Sequence, residues 1–262
     1  MSATVLPFQS LKAPETWRTV DFISDLHLQE QEPETFRLWQ RYMLETTADA
    51  IFILGDLFEV WVGDDASLQS EFLRNCLSVL KTAASKRWVG FMRGNRDFLV
   101  GPEFLNACQV HDLNDPTLLH FGHQTWLLCH GDEGCLEDVA YQNFRRWVRT
   151  AAWQQDFLAK SLSERQDIAR QMRQESEANK ANPHAVYADV DPAWAEHLLT
   201  LGHAQCMVHG HTHKPANHPM GPFNQFTRMV LSDWDASAPH PRAEVLRWHA
   251  SGQVERVNLT TA

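Results

Sequence analysis

The chain has no C-x-x-C pair, and its five cysteines (Cys76, Cys108, Cys129, Cys135 and Cys206) are odd in number. That argues against a disulfide-stapled framework and against zinc held on cysteine, and it fits a reduced, cytosolic setting. No run of about 18 apolar residues occurs, so no membrane-spanning helix is expected. Met1–Thr19 lacks a continuous apolar core, which argues against a secretory signal; any membrane contact would be peripheral. Positive charge is in short supply. There are 23 Lys and Arg against 33 Asp and Glu, a net charge of −10 with His neutral. Nucleic acid is therefore disfavoured as a partner, because phosphate contacts need clustered Lys and Arg. Internal repeats and low-complexity tracts are absent too.

What is present is ordinary soluble-protein composition, 44% hydrophobic and 21% charged, over 262 residues. A chain of that length buries about three quarters of its unfolded surface, so a single domain over residues 1–262, with one inserted piece, is the expectation. Several short apolar runs end in a polar cluster. Val20–Ser24 leads to Asp25-Leu26-His27, Ala50–Leu54 to Gly55-Asp56, and Trp88–Met92 to Gly94-Asn95-Arg96-Asp97. Thr125–Cys129 leads to His130-Gly131-Asp132, and Gln205–Val208 to His209-Gly210-His211-Thr212-His213. Runs of this length, rich in Val, Ile, Leu, Phe and Trp, predict buried strands. Glu34–Thr46 and Gln69–Ser85 between them have helical patterning, which makes the chain α/β. Ligands in α/β proteins bind beyond the carboxyl ends of strands, and all five clusters fall there. Arg228–Leu231, Ala243–Trp248 and Gln253–Leu259 are expected as closing strands, and Pro215, Pro219 and Pro222 are expected to mark loops.

Residues 137–182 break the alternation. Ala140, Phe144, Trp147, Val148 and Ala151 follow a helical stripe, and Ser163-Glu164-Arg165-Gln166 suggests a capping box opening a second helix. The segment 140–174 carries seven basic residues (Arg145, Arg146, Arg149, Lys160, Arg165, Arg170, Arg173) and three acids, so it is locally +4. It is either a helical lid or a pair of surface helices with solvated charges.

Taken singly, each cluster is a modest signal. In an extended strand Asp25 and His27 would point to the same side. Asp97 either orients a neighbouring ligand or is a plain turn carboxylate, and His209 is best taken as an orienting or structural histidine. Together, Asp25, His27, Asp56, Asn95, His130, His211 and His213 supply three oxygen donors and four imidazoles. Such a mixed set suits Mn²⁺, Fe²⁺ or Zn²⁺ rather than Ca²⁺. Seven donors exceed what one ion takes from protein, so two ions sharing a carboxylate are expected.

The order D-x-H, G-D, G-N-R-D, lone H and G-H-x-H resembles the calcineurin-like metallophosphoesterase family, over residues 19–215. The resemblance implies two packed mixed β-sheets flanked by helices. It implies that Asp25, His27, Asp56 and His213 hold one metal, that Asp56 bridges, and that Asn95, His130 and His211 complete the second. Two such ions lower the pKa of the attacking water and neutralise charge on the phosphoryl group. Arg96 is placed to bind that group through two donors. Asn95, Arg96 and His211 are the implied catalytic residues.

Longer stretches narrow the resemblance. Leu54–Asp65, Gly94–Leu99 and His130–Cys135 continue beyond what metal binding requires, as do Asp138, Tyr141-Gln142, Phe144-Arg145 and Val230-Leu231-Ser232-x-Trp234. They are similar to the UDP-2,3-diacylglucosamine hydrolases of lipid A biosynthesis. That resemblance implies Mn²⁺-dependent cleavage of UDP-2,3-diacylglucosamine to UMP and 2,3-diacylglucosamine 1-phosphate (lipid X) by a monomer, peripheral to the cytoplasmic face of the inner membrane, with the insertion over the acyl chains. Asn95, Arg96, Asp138, Ser176, Asn179, Lys180, Asn182 and His211 are the implied substrate contacts. Residues 175–182 depart from the family pattern by one missing residue: Ser176 corresponds only across a gap, and the lysine position falls on Asn182 unless Lys180 replaces it. The usual Thr before the acidic pair near Glu137-Asp138 is also missing. Alternatives are a broader phosphodiesterase or UDP-sugar pyrophosphatase on a soluble nucleotide, a nuclease disfavoured by the charge, and a metal-free scaffold disfavoured by the complete ligand set.

Overall fold

Ala50-Ile51-Phe52-Ile53-Leu54 is apolar at every position and all five residues are fully buried. A strand with that pattern must be covered on both faces, and its alternating side chains show by what. Ile51 and Ile53 join a core shared with helical residues such as Trp39, Val79 and Leu80. Ala50, Phe52 and Leu54 join a core shared with Leu119, Trp126 and Val208 from a second sheet. A third cluster, with Leu118, Leu127, Met207, Ala195 and Leu199, lies on the far side of that second sheet. The layers run helix, sheet, sheet, helix.

The computed structural model describes the backbone of residues 8–180 and 188–261, and the side chains of these except 175–180. In chain order the elements are β1 (Gln9–Lys12), β2 (Thr19–Ile23), α1 (Pro33–Glu45), β3 (Ala50–Leu54), α2 (Ala66–Gln69), α3 (Glu71–Ala84) and β4 (Trp88–Met92). Next come α4 (Pro102–Cys108), β5 (His111–Leu113), β6 (Thr117–Phe121) and β7 (Gln124–Leu128). The helices α5 (Val139–Val148), α6 (Ala151–Leu158) and α7 (Leu162–Lys180) then interrupt the sheets. The remaining elements are α8 (Pro192–Leu201), β8 (Cys206–His209), β9 (Ala216–Met220), β10 (Phe226–Val230), β11 (Glu244–His249) and β12 (Val254–Asn258). One sheet has the order β12-β11-β2-β3-β4-β5 and the other β1-β6-β7-β8-β10-β9. Both are mixed: β2, β3, β4 and β5 are parallel while β11 and β12 pair antiparallel, and in the other sheet β6 and β7 are antiparallel while β7 and β8 are parallel. The two mixed sheets flanked by helices match the expected architecture.

Several local expectations need correction. The helix expected over Gln69–Ser85 is broken at Ser70, whose hydroxyl accepts Leu73 N–H and starts α3 afresh. The insertion holds three helices, not two, because Thr150 caps a separate α6 by accepting Trp153 N–H. The capping box of α7 is Ser161 with Glu164, two residues earlier than the sequence suggested: Ser161 Oγ accepts Glu164 N–H, and Glu164 Oε2 accepts Ser161 N–H at 2.9 Å. Pro219 stands inside β9 rather than in a loop. It is tolerated because β9 is an edge strand, where the missing N–H leaves no ladder bond unmade. Strands β1 and β9 carry too many polar residues, and β5 is too short, to show an apolar run; β6, with Leu118, Leu119 and Phe121, is a further strand that the expectations did not include.

Trp126 of β7 and Trp248 of β11 meet between the sheets, stacked with centroids 3.7 Å apart and planes 3° from parallel. Both are about 1% exposed, and Phe22 stacks on Trp126 at 5.8 Å. Trp126→Ala would leave a cavity in the middle layer and is expected to cost about 3–5 kcal/mol. Urea unfolding measures it, and a loss below about 1 kcal/mol would show that the sheets do not depend on this stack.

Candidate metal centre

A strand delivers its side chains alternately up and down, so a ligand placed just past its end needs a turn to aim it. Here the turn is left-handed. Asp25 (φ 55°), His27 (φ 48°), Asp56 (φ 52°), His211 (φ 64°) and His213 (φ 53°) all have positive φ without being glycine. Each such residue costs about 1–3 kcal/mol and persists only where its surroundings hold it. Asp25 and His27 therefore do not lie in an extended strand, as their spacing suggested. Strand β2 stops at Ile23, and the next residues turn so that both side chains face the same point.

The surroundings that hold these turns are mostly backbone. Asp25 N–H donates to the Gly55 carbonyl, and Leu26 and His27 N–H both donate to the Asp56 carbonyl. His211 N–H donates to both carboxylate oxygens of Asp25, at 3.1 and 2.9 Å. Arg96 N–H donates to Asp56 Oδ1 at 2.8 Å. The approach is so close that a Cβ on Gly94 would strike the Asp56 carboxylate, and one on Gly210 would strike Asp25.

Asp97 settles its two sequence readings in favour of an orienting group. Its carboxylate is fully buried and accepts four backbone N–H groups, from Gly94 (2.8 Å), Leu57 (2.8 Å), Asp56 (3.3 Å) and Phe58 (3.3 Å). It thereby clamps the Gly55-Asp56 loop to the Gly94–Asp97 loop. Burial, and then the charge of Asp56, push its carboxyl up to about 6.

Four imidazole nitrogens converge on the cluster. His130 Nδ1 is engaged by the Leu54 carbonyl at 2.9 Å, which turns Nε2 toward Asn95 Oδ1 at 3.0 Å. His211 Nδ1 reaches the same Asn95 oxygen at 2.8 Å. His27 Nδ1 lies 3.0 Å from Glu59, leaving Nε2 to face His213 Nε2 at 3.3 Å. In this way a second group fixes which nitrogen of His27 and of His130 faces the cluster. Donor atoms of Asp25, His27 and His213 lie within 4.8 Å of one another, as do those of Asp25, Asp56 and His130. Asp25 is the carboxylate common to the two triads.

The chemistry of this donor set calls for cations. Asp25 and Asp56 are 0% and 2% exposed. Burial alone would depress His130, yet the carboxylates of Asp56, Asp132 and Asp25 lift it to about 9. Burial likewise opposes ionisation of Asp25, but the His213 hydrogen bond and the surrounding imidazoles hold it far below the usual range. Burial and then His130 press His211 down to about 4. A buried set of carboxylates whose charge raises His130 and His27 against burial, with nitrogens aimed at a shared point, fits two divalent ions.

A further buried carboxylate ties the insertion to the site. Asp132 Oδ2 accepts Tyr141 Oη–H at 2.6 Å, Arg145 Nε–H at 2.9 Å and Arg149 at 3.4 Å. Arg149 also donates to the Gly94 carbonyl at 3.0 Å, and the Tyr141 ring lies along the His211 ring at 5.8 Å.

The sequence profile described as Calcineurin-like phosphoesterase matches residues 18–215. The chain belongs to that family. Among curated relatives of this phosphoesterase, a protein of Aromatoleum aromaticum is 39% identical over 235 residues, covering 88% of this chain and 93% of that one. One of Bordetella pertussis is 40% identical, covering 83% and 86%, and one of Chromobacterium violaceum is 41% identical, covering 82% and 90%. All three are named UDP-2,3-diacylglucosamine hydrolase.

The phosphoesterase thus brings all seven sequence-derived ligand candidates into one cluster, with Arg96 at its rim, 3.6 Å from Glu59. His209 stands apart: it is buried, contacts the Gly210 carbonyl and Arg228, and is pushed down to about 3 by burial and then the Arg228 charge. Asp138 caps α5, with Oδ1 accepting Tyr141 N–H at 2.9 Å. Ser176, Asn179 and Lys180 fall in the last turns of α7, where only the backbone is described, and Asn182 lies outside the described residues. The sequence reading gave no role to Glu59, Asp132 or Arg149. Their signal was present, since Glu59 and Asp132 sit in stretches longer than metal binding needs.

Asp97→Asn replaces an acceptor of four N–H groups by one whose amide end repels them. It is expected to weaken divalent-metal binding by about 10–100-fold, read by titration calorimetry. Unchanged affinity would show that the two loops keep their register without it.

Proposed function

We propose that this phosphoesterase hydrolyses the pyrophosphate bond of UDP-2,3-diacylglucosamine to UMP and 2,3-diacylglucosamine 1-phosphate, with two Mn²⁺ held by Asp25, His27, Asp56, Asn95, His130, His211 and His213. One observation carries the reading: a complete seven-donor centre, in a chain about 40% identical over more than four fifths of its length to relatives named for that substrate. Bound metal supplies Lewis-acid stabilisation of the phosphoryl oxygens and a lowered pKa for the attacking water.

The residues supply the rest. Arg96, with its backbone fixed on Asp56 and its guanidinium only partly exposed, presents two donors to the phosphoryl group. Asn95 and His211 stand on the same side of the centre and take the other face of that group. Asp138 begins the helix that carries Tyr141 against His211, which sets the sugar contacts beside the chemistry. Ser176, Asn179 and Lys180, in the last turns of α7, together with Asn182, complete the sugar contacts.

The acyl chains and the cytoplasmic face of the inner membrane form the remaining part of the proposal. Val139, Trp147 and Leu158 on the insertion, Leu136 just before it, Val60 in the loop after Asp56 and Leu68 on α2 are exposed large apolar side chains. A soluble nucleotide needs no such face, whereas a diacyl substrate does. No helix among the described residues is long and apolar enough to cross a membrane, so contact with lipid would be peripheral. The local +4 charge contributes less to it than composition suggested. Arg145 and Arg149 are tied to Asp132, Arg165 to Asp65, and Arg173 to Glu59.

The test is UMP release from UDP-2,3-diacylglucosamine with Mn²⁺ or EDTA, against UDP-N-acetylglucosamine. Manganese-dependent cleavage of the acylated substrate alone is expected, and equal cleavage of both would move the function to a broader pyrophosphatase. Asp56→Ala should lose metal and at least about 100-fold in kcat. Arg96→Ala should keep its metal and lose about 10²–10³-fold in kcat. An Arg96→Ala enzyme with wild-type turnover would remove that residue from the mechanism.

A further inference from the structure

Helix α7 meets one loop through two arginines. Arg165 is 3% exposed, donates to the Val62 carbonyl and pairs with Asp65. About two turns further on, Arg173 Nη2 lies 3.1 Å from Glu59 Oε1. Both contacts fall on the loop after the metal-ligand candidate Asp56.

Glu59 is shared three ways. Its Oε2 lies 3.0 Å from His27 Nδ1, and its Oε1 lies 3.1 Å from Arg173 and 3.6 Å from Arg96 Nη1. The carboxylate is 8% exposed and weakly screened, while the arginines reach it from the more exposed side, Arg173 at 39% and Arg96 at 22%. Arg173 holds the shorter contact to Oε1 and Arg96 the longer. Arg96 is also the residue that faces the phosphoryl group, and a carboxylate competes directly with a phosphate for a guanidinium.

We propose that Glu59 is a positioning residue that couples the seating of α7 to Arg96: seated Arg173 takes up the charge of Oε1 and leaves Arg96 available to the phosphoryl group. When Arg173 is withdrawn, the cation remaining beside Oε1 among the described residues is Arg96, which closes on Glu59 and leaves the phosphoryl site. Insertion and chemistry are thereby linked through one carboxylate, and full transition-state binding requires the helix in place. The inference rests on hydrolysis at this centre but not on the acyl chains of the substrate.

The experiment uses the whole Mn²⁺-loaded protein and the variants Arg173→Ala, Arg173→Lys, Glu59→Gln and Glu59→Gln/Arg173→Ala. Two readouts are taken: kcat and KM for UMP release, and UMP affinity by calorimetry. Arg173→Ala is expected to lower kcat and UMP affinity about tenfold each, with KM changed less than about twofold and metal content intact. Arg173→Lys, which keeps the charge, should retain more of both than Arg173→Ala. The decisive variant is the double one. A neutral amide in place of the Glu59 carboxylate no longer draws Arg96, so the double variant should perform like Glu59→Gln alone and better than Arg173→Ala. Wild-type kcat and UMP affinity in Arg173→Ala would overturn the proposal, as would losses that simply multiply in the double variant. A wild-type protein that binds UMP but releases none would instead sink the hydrolase reading, and the UMP affinities would still decide the coupling.

Discussion

Four backbone N–H groups donated to one buried carboxylate hold the centre in register. Asp97 is where the loop after β3 and the loop after β4 are pinned to each other. Asp56 then takes Arg96 N–H on its own carboxylate and, through its carbonyl, the N–H groups of Leu26 and His27. The chain of dependence runs outward from there: Asp25 is positioned by Gly55, and His211 by Asp25. Five ligand candidates sit in left-handed turns that none would keep alone. The strain is borne by a closed set of hydrogen bonds among the loops that carry these side chains.

Much of this was legible in the sequence because strand ends carry a strong local signal. Ala50–Leu54 and Trp88–Met92 match their apolar runs residue for residue. The seven ligand candidates came from the polar residues just past those runs, and the structure gathers all seven. The features that stayed hidden have a common cause. β9 is polar and lies at the sheet edge, where pairing with its hairpin neighbour β10, not its composition, makes it a strand. The left-handed turns were invisible because Asp and His adopt them only under tertiary constraint. Asp132 and Glu59 stood in stretches longer than metal binding needs, but their roles stayed hidden, since a carboxylate's role is set by the arginines that the fold brings to it.

The insertion illustrates the limit of charge counting. Its composition gives a basic segment, yet most of those arginines serve as struts. They bridge to Asp132, Asp65 and Glu59, none of which belongs to the three inserted helices. Net charge read from a window of sequence describes a surface only when the partners lie inside that window.

The order of the first sheet has a consequence for biosynthesis. β2, which leads into Asp25 and His27, takes its second neighbour from β11, more than 200 residues later in the chain. Until β11 emerges from the ribosome, β2 presents a bare edge of unpaired peptide groups. During synthesis the sheet beneath the catalytic centre therefore stays incomplete for more than 200 residues after β2, with an open edge of the kind on which wrong strand pairing begins.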